Sequence, residues 1–287
     1  MSLFRLFSSA LFQRADRAQL TQFKPPALPS CEYSQELQIN KNHYQQYCDQ
    51  VGWAIQRNLH PCYLQTLSTG LQIKCLTTPN SPFPLMGLIH KTNHIVQSTM
   101  LDIESPITLY ARYGTIRAHA RGWLFDITVR GLQNKQQVYL AQATYLVKVK
   151  APHVEPRKKQ RPFQPFSLPD TAEEQARFSA RGEQGRRYAR VAGDYNPIHL
   201  SRITAAFFGF KRAIAHGMWT LAKSVSVSTQ IMDEPASYTV DATFIQPVTL
   251  PASLRCLTDV DEDGKKIYVV GKNNTPHLTG RIQAVIS

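Results

Sequence analysis

Three things are scarce in this chain: closely spaced cysteine pairs, long apolar runs and acidic side chains. The five cysteines, Cys31, Cys48, Cys62, Cys75 and Cys256, are odd in number and scattered, with no Cys-x-x-Cys pair. That pattern argues against a zinc ribbon, a dithiol redox centre or a secreted disulfide scaffold, and it predicts reduced thiols in a cytosol-like compartment. No window reaches the roughly 20 consecutive apolar residues that a membrane-spanning helix needs, so no transmembrane segment is expected. Acidic residues number 20 against 33 lysines and arginines, a net charge of +13. Such a surface attracts anions, whether nucleic acid, acidic lipid, a phosphorylated cofactor or an acidic carrier protein. The densest basic run, Arg157, Lys158, Lys159 and Arg161, sits among prolines rather than in a stripe interleaved with aromatics, which points away from nucleic acid.

What is present is enough apolar material for a large core: 43% of 287 residues are hydrophobic, which suits one large domain or two ordinary modules. The N-terminus carries Leu3, Phe4, Phe7, Leu11 and Phe12 at helical spacing, with Arg5, Arg14 and Arg17 between them. It reads as an amphipathic surface helix or an organellar targeting peptide, and is too charged for a secretory signal. The expected location is therefore the cytoplasm, or the mitochondrial matrix if this segment is a targeting peptide.

Beyond Pro25, Pro26 and Pro29 a short strand around Leu37 and Ile39 leads to a helix over 41–51, with Asn40 as its N-cap. A second helix is expected from Pro61 through Leu71, despite Gly70. From about Ile95 to Lys150, runs rich in Val, Ile, Thr and Tyr, broken at Ser105-Pro106, Gly114 and Gly131 to Asn134, predict several antiparallel strands. The proline-rich stretch 151–169 reads as a connector, after which helices and then strands return in the same order. Tyr47, Val51 and Gly52 are echoed by Tyr188, Ala192 and Gly193, a weak internal repeat. The second half alone inserts a polar, turn-rich segment, Asp194 to His216, before its long helix, so only that half has room for a site there.

Within that segment Gly193 should end one helix, Asn196 should cap the next, Pro197 should occupy its first position and Gly209 should close it about three turns later. Asp194 then lies on a turn just outside the helix and His199 in its first turn. A carboxylate and an imidazole held so close could grip one water molecule between them, acid-base chemistry that needs no metal. Taken singly, the same residues are also ordinary, a carboxylate at the positive end of a helix and a polar first-turn histidine. Gly217 at the start of the long helix offers an open backbone N–H that could polarise a carbonyl, or it marks a plain tight turn.

The run from Tyr188 to Met218, with its Gly-Asp-x-Asn-Pro-x-His core, Phe208-Gly209-Phe210 and Ile214-Ala215-His216-Gly217-Met218, resembles the signature of the MaoC-like dehydratases and R-specific enoyl-CoA hydratases. The likeness extends more loosely to Phe244 through Val248. In the first half it is confined to element order and to Gly87-Leu88-Ile89-His90. The resemblance implies an α+β double hot-dog fold, two modules each with a central helix wrapped by an antiparallel sheet. It implies an N-terminal extension over 1–30, a degenerate module over 31–150, a linker over 151–169 and a catalytic module over 170–287. It also implies that Asp194 and His199 activate water and that the Gly217 N–H binds a thioester oxygen, with Asn196 and His216 among the substrate-binding residues and no cofactor. Ala192 stands where many members have Ser or Thr, and Ser201 where some have Asp. Arg202, Lys211 and Arg212, near the loop in sequence, are candidates for contacting coenzyme A or an acidic acyl carrier protein. The expected reaction is reversible hydration of a trans-2-enoyl thioester to the (R)-3-hydroxyacyl product, by a protein that could form a homodimer. Rival readings are a hot-dog thioesterase and a non-catalytic acyl-CoA or lipid-binding module.

Overall fold

The computed structural model describes residues 16–54, 58–98, 101–154, 166–229 and 237–285. The apolar N-terminal run and the basic cluster Arg157 to Arg161 lie outside them. Chain order begins with α1 (Arg17–Leu20), β1 (Glu32–Leu37), α2 (Lys41–Val51), α3 (Tyr63–Leu67), α4 (Thr69–Leu76), β2 (Ile89–Ser98), β3 (Ile107–His119), β4 (Gly122–Gln133) and β5 (Gln136–Lys148). It continues with β6 (Glu173–Ala180), α5 (Gln184–Ala192), a 3-10 turn (Pro197–His199), α6 (Arg202–Ala206), α7 (Gly217–Ser228), β7 (Ser237–Phe244), β8 (Ala252–Asp261), β9 (Gly264–Val270) and β10 (Pro276–Val285).

The ten strands form one antiparallel sheet in the order β1-β3-β4-β5-β2-β7-β10-β9-β8-β6. Read from each edge inward, the two halves have the same internal order, first-third-fourth-fifth-second, and they meet where β2 pairs with β7. The helices obey the same duplication. Asn40 caps α2 by accepting from the His43 N–H, and α2 and α5 both end on a left-handed glycine, Gly52 at φ 71° and Gly193 at φ 67°. No side chain adopts that conformation as readily as glycine, which explains why the echo of Gly52 and Gly193 survives in the sequence.

The long helices differ between the halves. α7 is continuous over Gly217–Ser228 and packs on β6, β8, β9 and β10. Its first-half counterpart, expected as one helix from Pro61 through Leu71, is instead split into α3 and α4 at Ser68. The cause is hydroxyl competition for main-chain acceptors: Thr66 Oγ1 donates to the Cys62 carbonyl, Ser68 Oγ to Gln65 and Thr69 Oγ1 to Thr66. The halves are stitched together by Trp219 Nε1 donating to the Gln50 carbonyl and by His60 Nε2 donating to the Ala222 carbonyl, at 3.0 and 3.1 Å. Leu20 of α1 is buried, and its carbonyl accepts from Trp123 Nε1.

All five cysteines are free thiols. Among the described residues no helix is long and apolar enough to cross a membrane.

At the seam Ile95 faces Val240, and both are fully buried. Ile95→Ala should cost about 3 kcal/mol, because it removes buried methyl groups from a site with helices and sheet on all sides. Urea denaturation should still give a single transition, shifted to lower midpoint. Two separated transitions would mean that the halves fold independently.

Candidate active site

The insertion of the second half builds the site in two short turns rather than the one three-turn helix that the sequence suggested. Asn196 accepts from the Ile198 N–H, Pro197 opens the 3-10 turn, and the turn stops at His199. Ser201 then starts α6 with a reciprocal capping box, in which its side chain accepts from Thr204 N and Thr204 Oγ1 accepts from Ser201 N. Thr204 Oγ1 also donates back to the Pro197 carbonyl, 2.7 Å away, so the two turns are folded onto each other. Gly209 adopts a positive φ of 82° after α6. A further glycine, Gly185 in α5, went unremarked at the sequence level: a Cβ there would overlap the His199 carbonyl. The turn that carries His199 rests directly on the backbone of α5.

His199 is 7% exposed, and its Nδ1 donates to the Ile214 carbonyl at 2.8 Å. That bond selects the tautomer and leaves Nε2 as a lone pair. Asp194 is half-buried. Its Oδ1 accepts from the Asn196 N–H, while its main-chain carbonyl accepts from His216 Nε2 at 3.0 Å. The His216 ring lies 3.8 Å from the Asp194 carboxylate at its nearest approach, beyond hydrogen-bond range, so the main-chain contact is the one that fixes it. His216 also stacks under His199, with ring centroids 3.7 Å apart and planes at 27°. Burial pulls the His199 imidazole down to about 3, helped by its neighbour His216, and burial likewise lowers His216. Both rings are therefore neutral at physiological pH.

Asp194, His199 and His216 present ligand-type atoms within 4.8 Å of one another. Metal binding would require both imidazole lone pairs to meet at one ion about 2.1 Å from each nitrogen. Two rings stacked face to face direct their in-plane lone pairs along nearly parallel planes and do not meet there. The arrangement suits proton transfer better than metal ligation.

These residues open onto a cavity of about 460 Å³ whose lining also includes Asn196 and Gly217. Gly217 is the first residue of α7, so its N–H has no acceptor within the helix. A Cβ at Gly217 would come within 2.9 Å of the Phe244 ring, so glycine is required for space. Arg202, Lys211 and Arg212 are exposed and do not line the cavity. The cations that do are Lys91, Arg121 and Lys148, all from the first half. That half also supplies His90, which burial lowers to about 4 and which stacks on Tyr145 and packs at a tilt against Phe244. Its split helix contributes Gln72, which accepts from Tyr145. Polar Gln65, Thr66 and Gln72 on an otherwise buried helix face were the sequence signal for that wall.

Two duplicated five-stranded halves, each with its own helix and sharing one cavity, define a double hot-dog protein with an aspartate-histidine cluster in that cavity. Residues 162–277 match the family model described as the MaoC like domain. Over 252 residues, 88% of each chain, the sequence is 28% identical to 3-hydroxyacyl-thioester dehydratase X of Mycobacterium tuberculosis. A crystal structure of HtdX from that organism is similar at a TM-score of 0.75 and 25% identity, covering 89% of this chain and 100% of the other. A MaoC-like dehydratase from Phytophthora capsici shares the fold at a TM-score of 0.71 and 15% identity, covering 95% and 99%. The chain is thus similar, through a MaoC like domain over residues 162–277 and through its fold, to the MaoC-like double hot-dog proteins.

The sign of the pH dependence of stability follows from three histidines that the fold desolvates. His90, His199 and His216 all have folded pKa values below the ordinary 6.5, so the unfolded chain binds protons more readily than the native one. Stability is complete above pH 6.5 and falls as pH drops toward the folded values of about 4 for His90 and about 3 for His199. Each neutral-held histidine contributes a slope of about 1.4 kcal/mol per pH unit within that window. Urea midpoints measured between pH 7 and pH 4.5 should fall accordingly, and His199→Asn should flatten the slope. A pH-independent midpoint would contradict the buried neutral state. Gly185→Ala should displace the His199 turn and lower both melting temperature and activity, whereas the exposed Gly182, with open space around its Cβ position, should tolerate alanine.

Proposed function

We propose that this protein is a dehydratase/hydratase of acyl thioesters and that it adds water reversibly across the double bond of a trans-2-enoyl thioester. The observation that carries the reading is the sharing of one cavity by the Asp194 carboxylate, the His199 Nε2 lone pair and the Gly217 N–H. It is supported by the likeness to 3-hydroxyacyl-thioester dehydratase X.

The chemistry follows from the geometry. A water bound by Asp194 and His199 donates its hydrogens to the carboxylate and to Nε2, which turns its oxygen lone pair outward toward C3 of the substrate. As the C–O bond forms, one water proton passes to the pair and the alkene electrons move onto the thioester oxygen. The Gly217 N–H, backed by the positive end of α7, stabilises that developing charge. The pair then returns its proton to C2, which regenerates the carboxylate and the neutral imidazole and completes the addition of one water. His216 holds Asp194 through its main chain and supports the His199 ring, so we assign it a positioning role. The apolar lining residues Ile73, Leu76, Leu85 and Leu88 of the first half offer a surface for the acyl chain. The resemblance of the Tyr188 to Met218 run to the R-specific hydratases favours the (R) configuration at C3 of the product.

Loss of enoyl absorbance with crotonyl-CoA and longer trans-2-enoyl-CoAs, followed by chiral analysis of the 3-hydroxyacyl product, tests the reading. Asp194→Asn and His199→Ala should each lower turnover by about 10²–10⁴-fold with the circular dichroism spectrum unchanged. Gly217→Val should lower it by about 10²–10³-fold through the misplaced amide, with some loss of stability from the collision with Phe244. Near-wild-type hydration by either catalytic variant would refute the assignment, and release of free thiol in place of enoyl consumption would make the protein a thioesterase.

A further inference from the structure

The far rim of the cavity carries a charge pattern that the proton chemistry does not use. The start of β2, the turn between β3 and β4 and the end of β5 meet at one end of the sheet, because Ile89 pairs with Leu146 and Gly122 with Lys148. Lys91, Arg121 and Lys148 project from these three places, and all line the cavity. Lys91 Nζ donates to the Phe244 carbonyl at 3.4 Å. Among the described residues none of the three forms an ion pair, and Asp194 is the sole carboxylate in the cavity lining. Arg121 and Lys91 act on their surroundings: after burial, they are the causes that lower neighbouring His119, and Arg121 helps to lower Lys91.

Three like charges gathered without a counter-ion repel one another, and a phosphate anion placed among them relieves that repulsion while gaining charge-assisted hydrogen bonds. Resting on the thioester reading above, we propose that Lys91, Arg121 and Lys148 form a phosphate-binding rim for the phosphate at the far end of the pantetheine arm. That phosphate is common to coenzyme A and to the prosthetic arm of an acyl carrier protein. The first half thus supplies the handle by which the substrate is held, while the second half supplies the reacting groups.

The experiment compares four enoyl thioesters on the intact protein: of coenzyme A, of phosphopantetheine, of pantetheine without phosphate and of N-acetylcysteamine. In the Lys91→Gln, Arg121→Gln, Lys148→Gln triple variant, KM should rise at least about tenfold for the first two, with kcat held within about twofold. KM for the two phosphate-free substrates should be unmoved. Raising the salt concentration should weaken wild-type use of the phosphorylated substrates and affect the variant less. Lys135→Gln, in the β4–β5 turn away from the rim, controls for general attraction of anions to a basic surface and should change nothing. Equal effects on phosphorylated and phosphate-free substrates, or none on either, would overturn the proposal. So would an effect confined to the coenzyme A thioester, which would place the contact on its nucleotide, or an equal effect of Lys135→Gln. Failure of the wild type to hydrate any of the four would instead refute the thioester reading, which separates the two failures.

Discussion

Everything in this molecule depends on the antiparallel pairing of β2 with β7 at the centre of the ten-stranded sheet. That ladder fixes how the two halves face each other, and so decides which residues of the first share a cavity with the loop of the second. The His90 ring packs at a tilt against Phe244 across this junction, and Lys91 donates to the Phe244 carbonyl. Without the seam the aspartate-histidine turn would still form, since its hydrogen bonds are local. It would then face solvent on the side where Gln72, Tyr145 and His90 now stand, and the desolvation that keeps His199 neutral would be gone.

The duplication shows how one architecture can be divided between two tasks. Both halves keep the strand order and the left-handed glycine at the end of the first helix, because those features concern folding. They diverge after that glycine. The first half goes almost directly to its second helix and breaks it with three hydroxyl side chains, whereas the second half spends its extra residues on two interlocked turns and keeps its long helix whole. An unbroken α7 matters to the proposed chemistry, since aligned peptide dipoles behind Gly217 favour negative charge at its amide.

Much of this was legible in the sequence, and the reason is that the informative signals were local. The Asn40 and Asn196 caps, the two terminal glycines and the proline at the first position of the turn act within a few residues, so their types and spacing suffice. The close approach of Asp194 and His199 could be inferred for the same reason. What stayed hidden was set by contacts distant in the chain. Gly185 reads as an unremarkable helix residue until His199 is seen resting on it. Lys91, Arg121 and Lys148 are separated by strands and converge through register alone, whereas Arg202, Lys211 and Arg212 adjoin the motif in sequence yet stand outside the cavity. The sequence reads as one helix running through Gly70, and the break at Ser68 is not visible in it because the hydroxyl contacts that tighten the turn depend on side-chain rotamers.

The contact of α5 with the turn above it makes this region unequally open to evolutionary change. On the inner side, backbone lies against backbone at Gly185, so there is no side chain whose gradual trimming or enlargement could adjust the loop. On the outer side Ile203 and Phe207 stand 74% and 83% exposed in solvent, free of packing demands. Divergence among relatives should therefore accumulate on the outward rim of the insertion, leaving its floor as a fixed reference surface from which new specificities are built outward.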